Sequence, residues 1–232
     1  MAKNSTPPFR LPLFVNEKNK IISGAIMYSI SYFTYYMTNH YPYFEPIYLP
    51  MNWVDRNVPF IPHSVWIYMS EYFYFVFIYL LLKKNNHINK YLYSFLSLQL
   101  FACLIFFFFP TTYPRENFPI PEGTAPWLAA AWEWLRKQDA PTNCFPSLHV
   151  ASVYISAFVF WDEGQKQKFW IFMVWSTLIA ATTLTTKQHY LADVIFGISL
   201  ACFFFWLFHR KINYYHLDIT ERIKAKVTRQ SR

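Results

Sequence analysis

Glycine is nearly absent, with four residues in 232, and the chain runs instead in long stretches of Phe, Tyr, Ile and Leu. That combination excludes a fibrous repeat and a disordered chain. Charge is sparse too: Asp, Glu, Lys and Arg make up 15% of the residues, against about 25% in a soluble domain, and the deficit points to a membrane protein. Cysteine supports no disulfide framework, because Cys103 and Cys202 lie inside apolar runs and only Cys144 lies in a connection. The first twenty residues carry no hydrophobic signal core and no small-residue cleavage pattern. No cleaved signal peptide is expected, and the first apolar run serves as its own insertion signal. No internal repeat or low-complexity tract is found.

What is present is apolar and basic: 54% hydrophobic, 22% aromatic, with a net charge of +8. In a soluble protein such a charge would suggest nucleic acid. Here Lys and Arg sit mostly in short segments between apolar runs, so membrane topology explains them and no nucleic-acid partner is expected. Six runs read as spans, at about 21–39, 64–82, 91–109, 146–161, 169–185 and 190–208. The expected fold is therefore all-α, a polytopic bundle of six transmembrane helices over 21–209. A cytoplasmic lead-in (1–20) precedes it and a basic cytoplasmic tail (210–232) follows. Residues 40–62, rich in proline and aromatics, read as an interfacial loop. Within the 110–145 connection, the segment from Thr124 through Pro126 to Arg136 and Lys137 reads as a short helix with tryptophans in the headgroup layer. With both termini inside, sixteen of the 21 Lys and Arg fall on inner segments. Arg115, His149, Lys187 and His189 then share the outer face, expected to be periplasmic in a bacterial inner membrane, or lumenal in a eukaryote.

Two stretches place a histidine among hydroxyls at the edge of an apolar run: Cys-Phe-Pro-Ser-Leu-His-Val-Ala-Ser from Cys144 to Ser152, and Thr-Thr-Lys-Gln-His-Tyr-Leu-Ala-Asp from Thr185 to Asp193. Pro146 and Ser147 mark a helix start, where free backbone N–H groups and the helix dipole suit an anion. His149, one turn in, is placed to protonate a leaving oxygen. Asp193 follows His189 by four residues, one helical face if the segment is helical. A carboxylate on one imidazole nitrogen fixes the tautomer and leaves the other as base or nucleophile. The bland readings are an interfacial histidine and an i,i+4 bond that steadies a helix end. An aspartate inside a membrane segment tips the balance towards function. His149, His189 and Asp193 would also make a two-histidine, one-carboxylate metal set. The surrounding Ser147, Thr185, Thr186, Lys187 and Arg115 suit a phosphate better, so neither metal nor cofactor is expected. Glu71 and Gln99 are polar residues inside spans; a helix–helix hydrogen bond is the expected role of Gln99, and Glu71 is left open between that and substrate contact.

Pro146-Ser147-Leu148-His149 followed by His189-x-x-x-Asp193 resembles the type 2 phosphatidic acid phosphatase (PAP2) superfamily. The resemblance is closest to its inositol phosphorylceramide synthase-like branch, in which Thr-Lys-x-His-Tyr is familiar. It implies a six-helix enzyme acting on a lipid phosphate monoester or diphosphate through a phosphohistidine. His189 would be the nucleophile, Asp193 its orienting carboxylate, His149 the general acid and Ser147 a phosphate contact. Leu148 replaces the family's glycine. The family's serine–arginine pair falls at Thr182 and Thr183, so that arginine is absent, Lys187 is its candidate substitute and Thr183 a candidate phosphate contact. The Lys-x6-Arg-Pro motif is also absent, with Arg115 its remnant. A head-group phosphotransferase and a non-catalytic lipid-binding or transport protein are the alternatives. The sequence names neither the lipid nor the oligomeric state.

Overall fold

The computed structural model describes residues 10–216. The start of the lead-in and the tail beyond 216 lie outside the described residues. Strand β1 (Arg10–Leu13) leads into α1 (Lys20–His40), and β2 (Ile47–Tyr48) into the short α2 (Trp53–Asn57). Helices α3 (Val65–Met69) and α4 (Glu71–Leu81) lie within one helical segment, Pro62–Leu81. Then come α5 (Asn85–Phe108), β3 (Thr111–Thr112), α6 (Pro126–Gln138), α7 (Leu148–Asp162), α8 (Lys166–Thr185), α9 (Leu191–Trp206) and β4 (Asn213–His216). The chain is mostly helical, but two small parallel strand pairs, β1 with β4 and β2 with β3, amend the all-α expectation. Residues 40–62 are also not wholly loop. Asn52 accepts from the amides of Val54 and Asp55 while Asp55 accepts from the Asn52 amide, a capping box that nucleates α2.

Among the described residues, four helices are long and apolar enough to cross a membrane: Pro62–Leu81, Asn85–Phe108, Lys166–Thr185 and Leu191–Lys211. Their outward side chains, among them Phe73, Leu104, Phe108, Ile171, Val174, Phe196 and Phe203, are large, apolar and exposed, as suits a lipid environment. The other two expected spans differ for separate reasons. Helix α1 has 21 residues, but serine, threonine and tyrosine dilute its hydropathy. Helix α7 is apolar but has only 15 residues, about 22 Å of rise where the hydrocarbon layer needs about 30 Å. It runs through the interior, packed against α4, α5, α8 and α9. Val150, Ala151, Val153, Ile155, Ala157, Val159 and Phe160 on it are fully buried.

The close approach of α9 to α7 depends on one of the four glycines. A Cβ at Gly197 would sit 2.6 Å from the Ser147 carbonyl oxygen and 3.3 Å from Val150 Cβ. The same contact lets the Ser147 amide donate to the Asp193 carbonyl at 3.0 Å. Gly197→Ala is therefore expected to force the two helix starts apart and cost about 1–3 kcal/mol. A lowered unfolding midpoint in detergent checks this; an unchanged midpoint with full activity counts against it.

At the far end of α7, Asp162 Oδ2 receives His87 Nδ1 (3.0 Å), Lys90 Nζ (3.1 Å) and His209 Nδ1 (3.0 Å). That cluster ties α5, α7 and the end of α9 together below the β1–β4 pair.

Candidate active site

His189 does not lie on a helix. It sits in the connection between α8 and α9, and Asp193, in the first turn of α9, reaches back to it. The i,i+4 contact arises because Asp193 Oδ2 accepts from the Tyr190 amide at 2.9 Å as well as facing His189 Nδ1 at 3.2 Å. The Cys144 carbonyl lies 2.9 Å from the same Nδ1. Two acceptors on one ring nitrogen assign the proton to Nδ1 and leave Nε2 with its lone pair. His189 Nε2 is buried and has no partner among the described residues.

His149 repeats the arrangement from the opposite side. Its Nδ1 lies 2.5 Å from Glu71 Oε1, on α4, and its Nε2 is also buried without a hydrogen-bond partner among the described residues. The two imidazole rings stand 5.6 Å apart, inclined at 65°. Two carboxylate–imidazole pairs thus converge, each with Nδ1 occupied and Nε2 free.

The third component is Arg115, which follows β3. Its guanidinium donates to the Asp139 carbonyl at 2.6 Å and to Asp139 Oδ2 at 3.3 Å. Asp139, the residue after α6, also accepts from Tyr35, and its Oδ2 lies 3.4 Å from the Tyr68 hydroxyl and 3.8 Å from His149 Nε2. Burial alone would raise the Asp139 carboxyl, but Arg115, the nearby His149 ring and the Tyr35 hydroxyl hold it well below the usual carboxylate range. A permanent anion therefore sits between the arginine and the free nitrogen of His149. Beside it opens a cavity of about 870 Å³, walled largely by aromatics such as Tyr28, Tyr32, Phe75 and Phe95 and reaching His149, Glu71 and Asp139.

A family model for the PAP2 superfamily matches residues 39–207, a stretch that contains both histidine motifs. The chain belongs to the PAP2 superfamily. A comparison with curated proteins finds no match.

The remaining residues expected around a PAP2 phosphate make the following contacts within the protein. Ser147 is fully buried and caps α7, its Oγ accepting from the Val150 amide at 3.3 Å. The Thr183 hydroxyl donates to the Ala180 carbonyl at 2.7 Å, and its own carbonyl accepts from the amides of Gln188 and His189, which shapes the turn below His189. Lys187 Nζ donates to the carbonyls of Asp55 (3.0 Å) and Val58 (2.5 Å) and lies over the Phe118 ring. Its backbone holds a left-handed φ of 55°, a conformation that glycine usually supplies at a helix end. Tying the side chain to two carbonyls offsets that strain. Burial pushes the Lys187 ammonium below its usual range, against the pull of Asp55. Asp55 also accepts from the Leu191 amide at 2.7 Å. Lys187 and Asp55 together lock the 40–62 connection onto the turn that presents His189.

Glu71, Asp139 and the Cys144 carbonyl are the contacts that sequence reasoning did not place. Glu71 carried a signal as an acid inside an apolar run; Asp139, in a polar connection, carried none.

One group among the described residues has metal-like spacing: Cys144, His189 and Asp193 each offer an atom within 4.8 Å of the others. It differs from the two-histidine, one-carboxylate set weighed from the sequence by exchanging His149 for Cys144. The donors fit a metal poorly. His189 Nδ1 is committed to two acceptors, and burial pushes the Cys144 thiol up, away from the thiolate a metal takes.

Proposed function

We propose that this PAP2 protein is a membrane lipid phosphatase working through a phosphohistidine. The observation that carries the reading is His189, whose Nδ1 proton is held by Cys144 and Asp193 while Nε2 is buried without a partner among the described residues and the His149 ring stands 5.6 Å away. In the first step His189 Nε2 attacks phosphorus. The P–N bond forms as the bond to the lipid oxygen breaks, and His149, protonated on both nitrogens, gives its Nε2 proton to that oxygen. In the second step water loses a proton to His149 and attacks phosphorus, which releases inorganic phosphate and regenerates His189. Arg115 meets the phosphoryl oxygens, which compete with Asp139 for its guanidinium. The cavity beside His149 takes the apolar tail, so the substrate enters laterally from the bilayer. The bias of Lys and Arg supports a six-span topology with cytoplasmic termini and the site at the outer face.

A second reading rests on burial: the His189 side chain is only 3% exposed. Restricted water favours transfer of the phosphoryl group to an alcohol, as in the inositol phosphorylceramide synthase-like branch. Purified protein in detergent with EDTA, given radiolabelled lipid phosphate and quenched in base, is expected to carry base-stable, acid-labile label and to release phosphate. Label without release unless an alcohol is added would favour the transferase. Failure to label or to turn over, with or without an alcohol, sinks both.

A further inference from the structure

Gln99, inside α5, forms little of the helix–helix bond expected of it. Its Nε2 approaches Ser152 Oγ only at 3.5 Å, and Oε1 is buried without a partner among the described residues. Ser31 Oγ on α1 is in the same state. A helical hydroxyl can satisfy itself on its own helix, as Thr34 does by donating to the Ile30 carbonyl at 2.8 Å; Ser31 does not. Gln99 is 8% exposed and Ser31 6%, and both line the aromatic cavity that leads to His149. Unpartnered buried polar atoms on a cavity wall call for a ligand group. The depth of Gln99 is set by α7. Ser152, which faces Gln99, lies three residues after His149, about 4.5 Å further along the helix.

We propose that Gln99 and Ser31 form a backbone subsite that selects lipid phosphates carrying a hydroxyl or amide N–H within a few bonds of the phosphoester. The Gln99 carbonyl oxygen only accepts, so its partner must donate. A polyprenyl phosphate offers bare hydrocarbon at that depth, and a diacylglycerol phosphate offers esters, which only accept. A monoacylglycerol phosphate or a ceramide phosphate offers a donor. The proposal rests on the lipid-phosphate reading of the site.

The test compares phosphate release by the full chain from these four lipids in the same mixed micelles. The donor-bearing pair is expected to exceed the others by about tenfold in kcat/KM. Gln99→Leu is expected to lower that pair by about tenfold, mainly through KM, and the polyprenyl phosphate by less than about threefold, the scale of one buried hydrogen bond. Ser31→Ala should act in the same direction and serves if Gln99→Leu does not fold. A preference for the polyprenyl or diacyl lipid, or an equal loss on all four, overturns the subsite. Thermal stabilisation of a His189→Ala variant by the same lipids reads binding apart from turnover. Donor preference there, with no phosphate released by the wild type, keeps the subsite and removes the phosphatase reading. Binding without preference removes the subsite.

Discussion

Replacing His189 by alanine is expected to lower turnover of a lipid phosphate by about 10⁴-fold or more while the protein stays folded. The size follows from the role, because no other group stands ready to form the covalent bond. Folding should survive because Asp193 Oδ2 keeps the Tyr190 amide, and Lys187 and Asp55 hold the turn independently. What is lost is one donor to the Cys144 carbonyl and to Asp193, a penalty of about 1–3 kcal/mol. Asp193→Asn should lie close behind, at about 10³ to 10⁴-fold, since its amide N–H can reverse the tautomer that frees Nε2. Turnover and the unfolding midpoint, measured together, check both variants. Activity within tenfold of wild type in folded His189→Ala would remove His189 as nucleophile.

The second large effect is expected at Glu71. Its carboxylate holds His149 Nδ1 at 2.5 Å, which under the proposed mechanism aims Nε2 at the leaving oxygen and stabilises the imidazolium acting as the acid. Glu71→Leu puts an apolar side chain of similar size in the helix and leaves Nδ1 without that acceptor. Turnover of a lipid ester should fall about 10² to 10³-fold, the usual range for general acid–base catalysis. A nitrophenyl phosphate, whose leaving group departs without a proton, should lose less than about fivefold. Glu71→Gln, which keeps an acceptor but not the charge, should lie between. A purely structural role would depress both substrates alike, and that result would reassign Glu71 to packing.

Sequence alone reached the membrane character, through apolar runs and scarce charge, and the superfamily, through two short motifs. It singled out His149, His189 and Asp193, which the structure brings together, because a histidine or aspartate at the edge of an apolar run is costly and has no packing purpose. It did not reach the partners, because their spacing carries no period. Glu71 precedes His149 by 78 residues, and Arg115 and Asp139 are 24 apart. Only the packing of α4 against α7, and the fold that sets Asp139, after α6, beside Arg115 and His149, makes them neighbours. Span number does not follow from hydropathy alone. Helix α7 is apolar because it is the buried centre of the bundle, and hydropathy does not distinguish a helix surrounded by protein from one surrounded by lipid.

Lys187 shows the same division at a single residue. Its place two residues before His189 marks it, by charge and proximity, as a phosphate ligand. The tertiary structure puts its backbone in a left-handed turn and its ammonium on the carbonyls of Asp55 and Val58. The cation linked to this edge is instead Arg115, paired with the Asp139 carboxylate that lies 3.8 Å from His149 Nε2. The sequence determined which chemical groups are available at this edge of the bundle. Which of them converge was decided by chain turns and helix contacts, because a side chain's direction depends on backbone geometry that residue type alone does not specify.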